Sequence, residues 1–307
     1  MNKWQRNYRL EVEGSDGKVH IFSYPMTLQF NVSRAALASA NNSSFRLYNL
    51  NKDTRKIIYK DIWSNITGTF RSVKLMAGYG ENLSQIFYGH IQEAMSYKEE
   101  GAVEYTTQID AYDWSFAMSN ANSSWTSIAP APTQEVVNRL VDDLIASNPT
   151  SGKLGRGSIS SFPGEYGRPL RVDGNTWEKL KEVTNDHCFI DNGLIHCLLD
   201  DDVYVGDIAV IDSSTGLLST PKKCEYKLKV DLLFEPGINV GQQVELLSNN
   251  ESLPNGLYKV IGVKHSGVIS GAVREIFIET CKGNGYNKVA LFKWQVGEDY
   301  KKIIWKN

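Results

Sequence analysis

The stretch PMTLQFNVS, residues 25–33, alternates apolar and polar side chains along its whole length. One side of an extended chain would carry the four apolar side chains of Met26, Leu28, Phe30 and Val32. Successive side chains of a β-strand point to opposite faces of the sheet, so this alternation predicts a strand with one buried face. The pattern therefore indicates that the chain begins with an antiparallel β domain.

The next segment, SSFRLYNLNKDTRKIIYKD at Ser43–Asp61, predicts a strand that leads directly into a short charged helix. Asn51 or Asp53 can cap this helix, because a side-chain oxygen at the N-cap accepts a free backbone N–H of the first turn. We expect the helix to continue as far as Lys60. Further strand-like runs follow with turn residues between them, and we predict a small N-terminal β-barrel over residues 1–119.

The composition changes at residues 120–133, where Ser, Ala, Asn and Pro predominate, and we predict a linker there. Beyond it, apolar residues recur at helical spacing, and Thr133 can cap the resulting helix. A second helix is predicted to begin at Asn175 or Thr176. We therefore predict a small α+β domain over residues 134–202.

The last part of the chain returns to a β pattern. In residues 224–234, CEYKLKVDLLF, every second side chain is apolar, so these apolar side chains share one face. This pattern predicts an amphipathic strand. Further strand-like runs follow, separated by Gly, Asn and Pro. We predict a second β-barrel over residues 203–283 and a separate C-terminal tail over residues 284–307.

A weak internal repeat relates the two β parts. Val73 and Val244 each begin a Val-x-Leu motif that is followed by a polar loop. An aromatic residue, Phe87 or Tyr258, comes fourteen positions after the valine. Any pair of β-hairpins with similar loops would look much the same, so coincidence stays an alternative. The predicted fold class is mainly β with a small α+β insertion, in which two related small β-barrel domains flank an α+β domain.

The composition excludes several classes of protein. The 307 residues include 33 basic and 35 acidic side chains, a net charge of −2, without a long block of one sign. A partner held by bulk charge, such as nucleic acid, is therefore disfavoured. The sequence contains no run of 18 consecutive apolar residues, so no membrane-spanning helix is predicted. The four cysteines are too few and too scattered for a disulfide framework, which favours folding in a reducing cytoplasm.

The most suggestive chemical motif is HCFIDNGLIHC, because two histidines and two cysteines are a ligand set of structural zinc sites. The pair Asn192-Gly193 predicts a two-residue hairpin turn. In that register Cys188 lies opposite Cys197 on one side of the ribbon, while His187 and His196 lie on the other. One metal ion cannot reach all four side chains, so we predict a structural hairpin with free thiols and no metal site.

The remaining candidates for chemistry carry weaker signals. The run Asp200-Asp202 lacks the alternating ligands and central glycine of a calcium loop, which favours a solvated turn. His90 and His265 each end a β run without an acidic or nucleophilic residue at a suggestive spacing, which favours surface or packing roles. The Gly-rich GKLGRGSIS lacks the Gly-Lys-Ser/Thr ending of a phosphate loop. We therefore predict that the protein is not an enzyme and needs no cofactor.

Several motifs resemble one family when they are taken in order. FRLYNLNKDTRKIIYKD, followed by VKLMAGYG and IFYGHI, resembles the N-terminal barrel of baseplate hub proteins from tailed, contractile-tail bacteriophages. STGLLSTP, LLFEPGINVGQQVELLS and NGLYKVIGVKHSG are similar to the C-terminal barrel of the same family, which is related to the hub part of type VI secretion spike proteins. Together these motifs cover most of Gln29 to Gly267.

This resemblance implies a structural role. Hubs of this family form homotrimers in which two related barrels per chain make a pseudo-sixfold ring between the sixfold tail tube and the threefold spike. The implied partners are a tail tube or tube-initiator protein, a separate central spike protein and other baseplate proteins, with DNA only in transit through the channel. The implied location is the tail baseplate of the virion, after assembly in the host cytoplasm.

The tail, residues 284–307, has no counterpart in this resemblance. Its aromatic residues are interleaved with lysines, and they are Phe292, Trp294, Tyr300 and Trp305. The tail is either an extra strand or helix on the chain's own barrel or an arm that binds a neighbouring subunit, because aromatic anchors dominate interface energies. We take these four residues as candidate partner-binding residues.

Two other classes of function stay open from the sequence. One is a cell-wall hydrolase carried on the tail, with the Gly-rich loop and Glu165 near its cleft. The other is a carbohydrate-binding β module that uses Trp and Tyr side chains as platforms.

Overall fold

The structure is a computed structural model that describes residues 5–65, 70–147, 154–224, 227–248, 255–270 and 286–293. Strands account for 51% of the described residues and helices for 16%, so the fold is mainly β, as predicted. Three hydrophobic clusters form the core, and each is built mainly from one of three successive parts of the chain. We call these parts the first β unit, the α+β unit and the second β unit.

The first β unit consists of β1 Arg6–Glu13, β2 Val19–Ser23, β3 Leu28–Ala35, β4 Asn42–Tyr48, α1 Lys52–Ile58, a short 3-10 helix Ile62–Asn65, β5 Ser72–Tyr79, β6 Asn82–Tyr97 and β7 Thr106–Tyr112. β3 buries its apolar face, as the alternation predicts. Asn51 caps α1, because its side chain accepts the backbone N–H of Thr54 at 2.8 Å. The helix ends at Ile58, earlier than predicted, since Lys60 forms a β-bridge with Ala94 of β6.

The α+β unit consists of α2 Ser115–Asn120, β8 Asn122–Ser127, β9 Ala131–Pro132, α3 Thr133–Ala146, β10 Gly155–Ile159, β11 Glu165–Tyr166, β12 Leu170–Asn175, α4 Thr176–Thr184, β13 Cys188–Asp191 and β14 Leu194–Cys197. α4 begins at Thr176, one of the two predicted starts, and Asn175 caps it, because its side chain accepts the backbone N–H of Glu178. Thr133 is the first residue of α3 and not its cap, which is a correction of the sequence-based assignment.

The stretch predicted as a linker, residues 120–133, is structured. β8 pairs along its length with β12, and β9 pairs with β11. Ser123 of β8 is buried and donates a hydrogen bond to Asp143 of α3. Trp125 donates its indole N–H to the same carboxylate at 2.8 Å. Ser123 and Trp125 therefore bind α3, and the stretch packs with the α+β unit.

The second β unit consists of β15 Tyr204–Ile211, β16 Lys222–Cys224, β17 Lys227–Leu233, β18 Gln242–Leu246, β19 Gly256–Ile269 and β20 Tyr286–Lys293. β17 buries Leu228, Val230 and Leu232 on one face, as its alternation predicts. β20 lies between β17 and β19, so a strand from the predicted tail completes this sheet. The predicted domain boundaries themselves stay predictions.

The strand order of the two β units is the same. Neighbouring strands follow the order β3-β4-β7-β6-β5 in the first β unit and β16-β17-β20-β19-β18 in the second, and each neighbouring pair is antiparallel. β3 therefore corresponds to β16, β4 to β17, β5 to β18, β6 to β19 and β7 to β20. β1 and β15 also take corresponding places, beside β5 and β18, although only β15 is parallel to its neighbour.

One antiparallel contact joins the two β units into a 13-stranded sheet. β3 pairs with residues 262–269 of β19. Among the described residues, the hydrogen-bonded path runs from β16 to β2 without closing on itself. The structure thus contains two topologically matched β units, and the closure of each into a barrel stays a prediction.

Candidate functional site

The three units of the chain meet around one buried arginine. Arg34 lies near the end of β3, in phase with the buried residues Phe30 and Val32, and it is 1% exposed. A buried charge is stable only when it is paired and hydrogen-bonded. We call the polar cluster around Arg34 the junction, and its members are Arg34, Asn41, Asp113, Asp191, Asn239 and His265.

The guanidinium of Arg34 binds both the α+β unit and the second β unit. Its Nη1 donates to the carboxylate of Asp191 at 3.1 Å and to Oδ1 of Asn239 at 3.3 Å. Its Nη2 donates to the backbone carbonyl of Ile238 at 3.0 Å. Nη2 also lies 3.1 Å from Nε2 of His265. Because a guanidinium only donates, Nε2 of His265 accepts this bond and the ring proton is on Nδ1.

Asn41 fastens the other side of the junction. Its Oδ1 accepts the backbone N–H of Ala35 at 2.8 Å, and its Nδ2 donates to the carbonyl of Ile190 at 2.9 Å. Nδ2 is also 3.4 Å from the carboxylate of Asp113, which follows β7. Asn41 thus joins the end of β3 to the hairpin of the α+β unit.

The junction contains one guanidinium and two carboxyl groups in a space closed to water. Burial, and then the nearby charge of Asp191, raise the pKa of the Asp113 carboxyl well above its ordinary value. The hydrogen bond from Asn41 and the charge of Arg34 act in the opposite direction. Burial and the charge of Asp191 therefore favour the protonated form of Asp113 more than in an exposed carboxyl.

Two further buried contacts hold the second β unit in place. The ammonium of Lys259 in β19 donates to the carbonyl of Leu199 at 2.7 Å, and burial lowers the pKa of Lys259 to about 8. The hydroxyl of Tyr79 in β5 donates to the carbonyl of Phe234 at 2.6 Å. These contacts link buried backbone carbonyls of one unit to side chains of another. The arrangement fixes the relative positions of the three units and presents no reactive group to solvent.

The hairpin proposed and rejected as a zinc site has the predicted register. Cys188 lies opposite Cys197, and both are buried free thiols. His196 faces away from them, stacks on Phe189 with 5.1 Å between ring centroids, and accepts the backbone N–H of Ser158 at 3.1 Å. His187 instead lies 3.3 Å from Asp200. The two cysteines therefore share one buried environment, and each histidine lies in a different one.

The other sequence candidates take structural roles. His90 is buried, and its ring contacts Trp114 at 4.4 Å between centroids, which fits the predicted packing role. His265 is fully buried and belongs to the junction. Asp200 bonds to His187, and this bond is the main reason that the pKa of Asp200 is lowered and that of His187 is raised. The run Asp200-Asp202 is therefore partly engaged, where sequence predicts a solvated turn.

The residues proposed for a hydrolase lie apart from the junction. Glu165 is exposed in the two-residue strand β11, beside a shallow open depression lined by residues 165–170. Part of the Gly-rich stretch forms β10, which pairs in parallel with β14. Within the described ranges, no group of three or more His, Cys, Asp or Glu side chains could hold a metal ion. The described residues also contain no helix that is long and apolar enough to cross a membrane.

The candidate partner-binding residues fall mostly beyond the described ranges. Phe292 lies in β20, opposite Lys259 of β19. Trp294, Tyr300 and Trp305 lie outside the described residues. Of the two alternatives for the tail, an added strand on the chain's own sheet therefore applies to β20. The role of the three later aromatic residues stays a prediction.

Sequence reasoning missed the junction, although one signal was present. Arg34 occupies a position that the alternation of β3 assigns to the buried face, and a charged residue there requires a buried partner. The partners Asp113 and Asp191 come from distant parts of the chain, and no local pattern connects them to Arg34.

Comparison with known proteins identifies the relatives of this fold. Residues 164–266 match the family model described as baseplate hub gp41. This range spans the second half of the α+β unit and most of the second β unit. No curated protein matches the chain. The match covers only part of the chain and relates that part to baseplate hub proteins.

Solved structures extend the likeness to nearly the whole chain. The tail protein from Neisseria meningitidis MC58 is 10% identical with a TM-score of 0.57, covering 94% of this chain and 98% of that one. The 43 kDa tail protein of prophage MuSo2 from Shewanella oneidensis is 6% identical with a TM-score of 0.57, covering 93% and 98%.

A third similar structure comes from a secretion system. It is an E. coli type VI secretion component described as similar to the T4 bacteriophage tail proteins gp27 and gp5. It is 9% identical with a TM-score of 0.51, covering 88% of this chain and 74% of that one. At such identities the likeness establishes the fold alone. The chain therefore has the fold of phage tail proteins, and its predicted relation to baseplate hub and type VI spike proteins is confirmed.

Proposed function

We propose that this protein is the structural hub of a phage tail baseplate, in which three copies form a ring between the tail tube and the central spike. The observation that carries the proposal is the repeated strand order of the two β units within one chain. Three copies would present six similar β units, which suits a contact with a sixfold tube. Two related β-barrels per chain are part of this proposal.

The partners follow from the same arrangement. One face of the ring would bind a tail tube or tube-initiator protein, and the other a separate spike protein. The baseplate hub match over residues 164–266 supports contacts with other baseplate proteins. The centre of the ring would leave a channel through which DNA passes during genome ejection, so the protein would act in host cell entry as part of the virion.

A structural role also suits the chemistry of the chain. The charged side chains of the junction hold three units together, and those of Arg34 and Asp191 are almost fully buried. A ring component needs rigid units in a defined relation, because small errors of angle accumulate around a closed ring. No specific observation favours a cell-wall hydrolase or a carbohydrate-binding module, and peptidoglycan zymography and glycan binding with the purified chain test those alternatives directly.

Electron microscopy of intact tail particles tests the proposal. We expect threefold density for this chain between the tube and the spike, with an open channel on the axis. Quantitative mass spectrometry of the same particles should give three copies of the chain per tail. Two copies per tail, or a position away from the tube and spike, would refute the ring.

A further inference from the structure

The first strand of the repeated order has different neighbours in the two β units. In the first β unit, β3 pairs with β19 of the second β unit. Its counterpart β16 pairs only with β17 among the described residues, at the end of the sheet. Lys222 and Lys223, both exposed, lie in this edge strand. An unpaired strand edge is a surface on which another chain can dock.

A shared bulge fixes how the two β units correspond, residue by residue. The pairing of β6 with β7 shifts between Ile91 and Glu93. The pairing of β19 with β20 shifts in the same way between Val260 and Gly262. The next residue of each strand is Ala94 in β6 and Val263 in β19. The part of β19 that receives β3 therefore corresponds to the part of β6 that begins near Ala94.

The chain's own segment covers this place on β6. Val263 pairs with Arg34 of β3, whereas Ala94 pairs with Lys60 through two backbone hydrogen bonds of 2.9 Å. The segment from residue 59 to residue 65 thus stands where β3 stands in the other unit. This segment is too short to continue as a strand, because the 3-10 helix begins at Ile62.

The covering segment presents an apolar surface to solvent. We call this surface the apolar patch, and its members are Tyr59, Ile62, Trp63 and Met95, which are 55%, 43%, 69% and 43% exposed. The antiparallel bridge at Lys60 and Ala94 places Tyr59 opposite Met95 on the outer face. Clustered exposed aromatic and aliphatic side chains mark a site of protein contact.

We propose that the apolar patch binds the β16 edge of a second copy of this chain. The contact of β3 with β19 inside one chain indicates which surfaces face each other, since β16 and the corresponding place on β6 can meet only between two copies. The covering segment of residues 59–65 then lies between them, so β16 contacts the apolar patch and does not pair with β6 directly. Such a contact joins unlike surfaces, and contacts of this kind close into a ring when the rotation permits. The inference rests on the proposed assembly of several copies.

The charges on the two surfaces are complementary. Asp61 and Glu93 flank the bridge on the side of the apolar patch. Lys222 and Lys223 lie exposed in the opposing edge strand. Opposite charges across an interface help to fix its register and exclude the contact of identical surfaces.

Photo-crosslinking in assembled tails tests the contact. A benzophenone amino acid in place of Trp63 should crosslink to residues 217–224 of another copy, identified by mass spectrometry. The same probe at Ile128, which is 85% exposed in the α+β unit, is the matched control and should not reach that segment. Crosslinks from position 63 to a different protein only, or none to another copy, overturn the proposal.

Charge reversal gives a second, independent readout. The double change Lys222→Glu with Lys223→Glu should lower incorporation into tails at least tenfold, and adding Asp61→Lys with Glu93→Lys should restore part of it. Unchanged incorporation of the first variant overturns the proposal. Threefold particles without the crosslink would reject this surface and keep the proposed hub, whereas the crosslink in particles without threefold density would reject the hub.

Discussion

Replacing Arg34 with methionine tests whether the junction holds the three units together. Methionine is unbranched and adaptable, so it removes the guanidinium and leaves most of the space filled. The side chains of Arg34 and Asp191 are 1% and 5% exposed, so the variant leaves a buried carboxylate without its cation. Removing one partner of a buried ion pair typically costs about 3–5 kcal/mol, and we expect this loss in the free energy of unfolding.

Urea unfolding at pH 7, followed by tryptophan fluorescence and by circular dichroism, measures this loss. Arg171→Met is the matched control, because Arg171 forms a 3.2 Å ion pair with Asp173 while the two side chains are 75% and 58% exposed. Exposed pairs contribute about 0–1 kcal/mol, so the control should change stability little. An effect of Arg34→Met no larger than that of Arg171→Met would refute the reasoning.

A double-mutant cycle separates the ion pair from the rest of the junction. Asp191→Leu alone leaves Arg34 charged and buried, whereas the double variant with Arg34→Met removes both charges. Replacing both partners of a buried pair is often close to neutral, so the double variant should be more stable than the sum of the single effects predicts. Simple additivity of the two single effects would show that the two side chains do not act as a pair.

Three further predictions concern the junction, the buried thiols and the tail. Burial raises the pKa of Asp113, so the folded state keeps a proton that the unfolded state loses. Between the ordinary pKa of an aspartate and the raised pKa of folded Asp113, the free energy of unfolding therefore falls as pH rises. Asp113→Asn should therefore remove this part of the pH dependence and preserve stability at pH 7, measured by urea unfolding across pH, and a large loss at pH 7 would contradict it. Burial raises the pKa of Cys188 to about 12 and also raises that of Cys197, so both thiols should react with a thiol reagent only as fast as the protein unfolds; rapid labelling of the native protein would contradict this. Truncation after Lys293 should preserve the melting temperature and lower incorporation into tails, whereas truncation after Gly285 removes β20 and should destabilise the second β unit; equal melting temperatures would contradict the sheet order.

The sequence predicted the elements that carry periodic burial. The apolar faces of β3 and β17 and the start of α4 near Asn175 follow from local patterns, and the structure confirms them. The register of the β13–β14 hairpin follows from Asn192-Gly193, both of which have a positive φ angle. Each of these features depends on residues close together in the chain, which is why a sequence pattern is sufficient.

Features that depend on distant partners could not be predicted in this way. Residues 120–133 have the composition of a linker because their small polar side chains match loop statistics. Their structure depends on β12 and on the Asp143 carboxylate, which accepts from Ser123 and Trp125. The junction has the same origin, since Arg34 and Asp191 are brought together only by the fold. Tertiary partners override local composition in both cases.

The internal repeat shows how the fold can be repeated while the residues shift. The sequence matched Phe87 with Tyr258, but the register places Gly89 opposite Val73 and Tyr258 opposite Val244. A side chain at Gly89 would lie 2.4 Å from the backbone of Tyr112 and 2.9 Å from the ring of Phe87. The Phe87 ring therefore occupies the space beside Gly89. Each β unit thus buries one aromatic ring near the valine of its Val-x-Leu motif, but the ring comes from a different strand position in each unit. Strand pairing and bulge position define the repeat, and they make Tyr258 the counterpart of Gly89. The sequence comparison aligned the two aromatic residues instead, so its match on Phe87 was wrong by two residues.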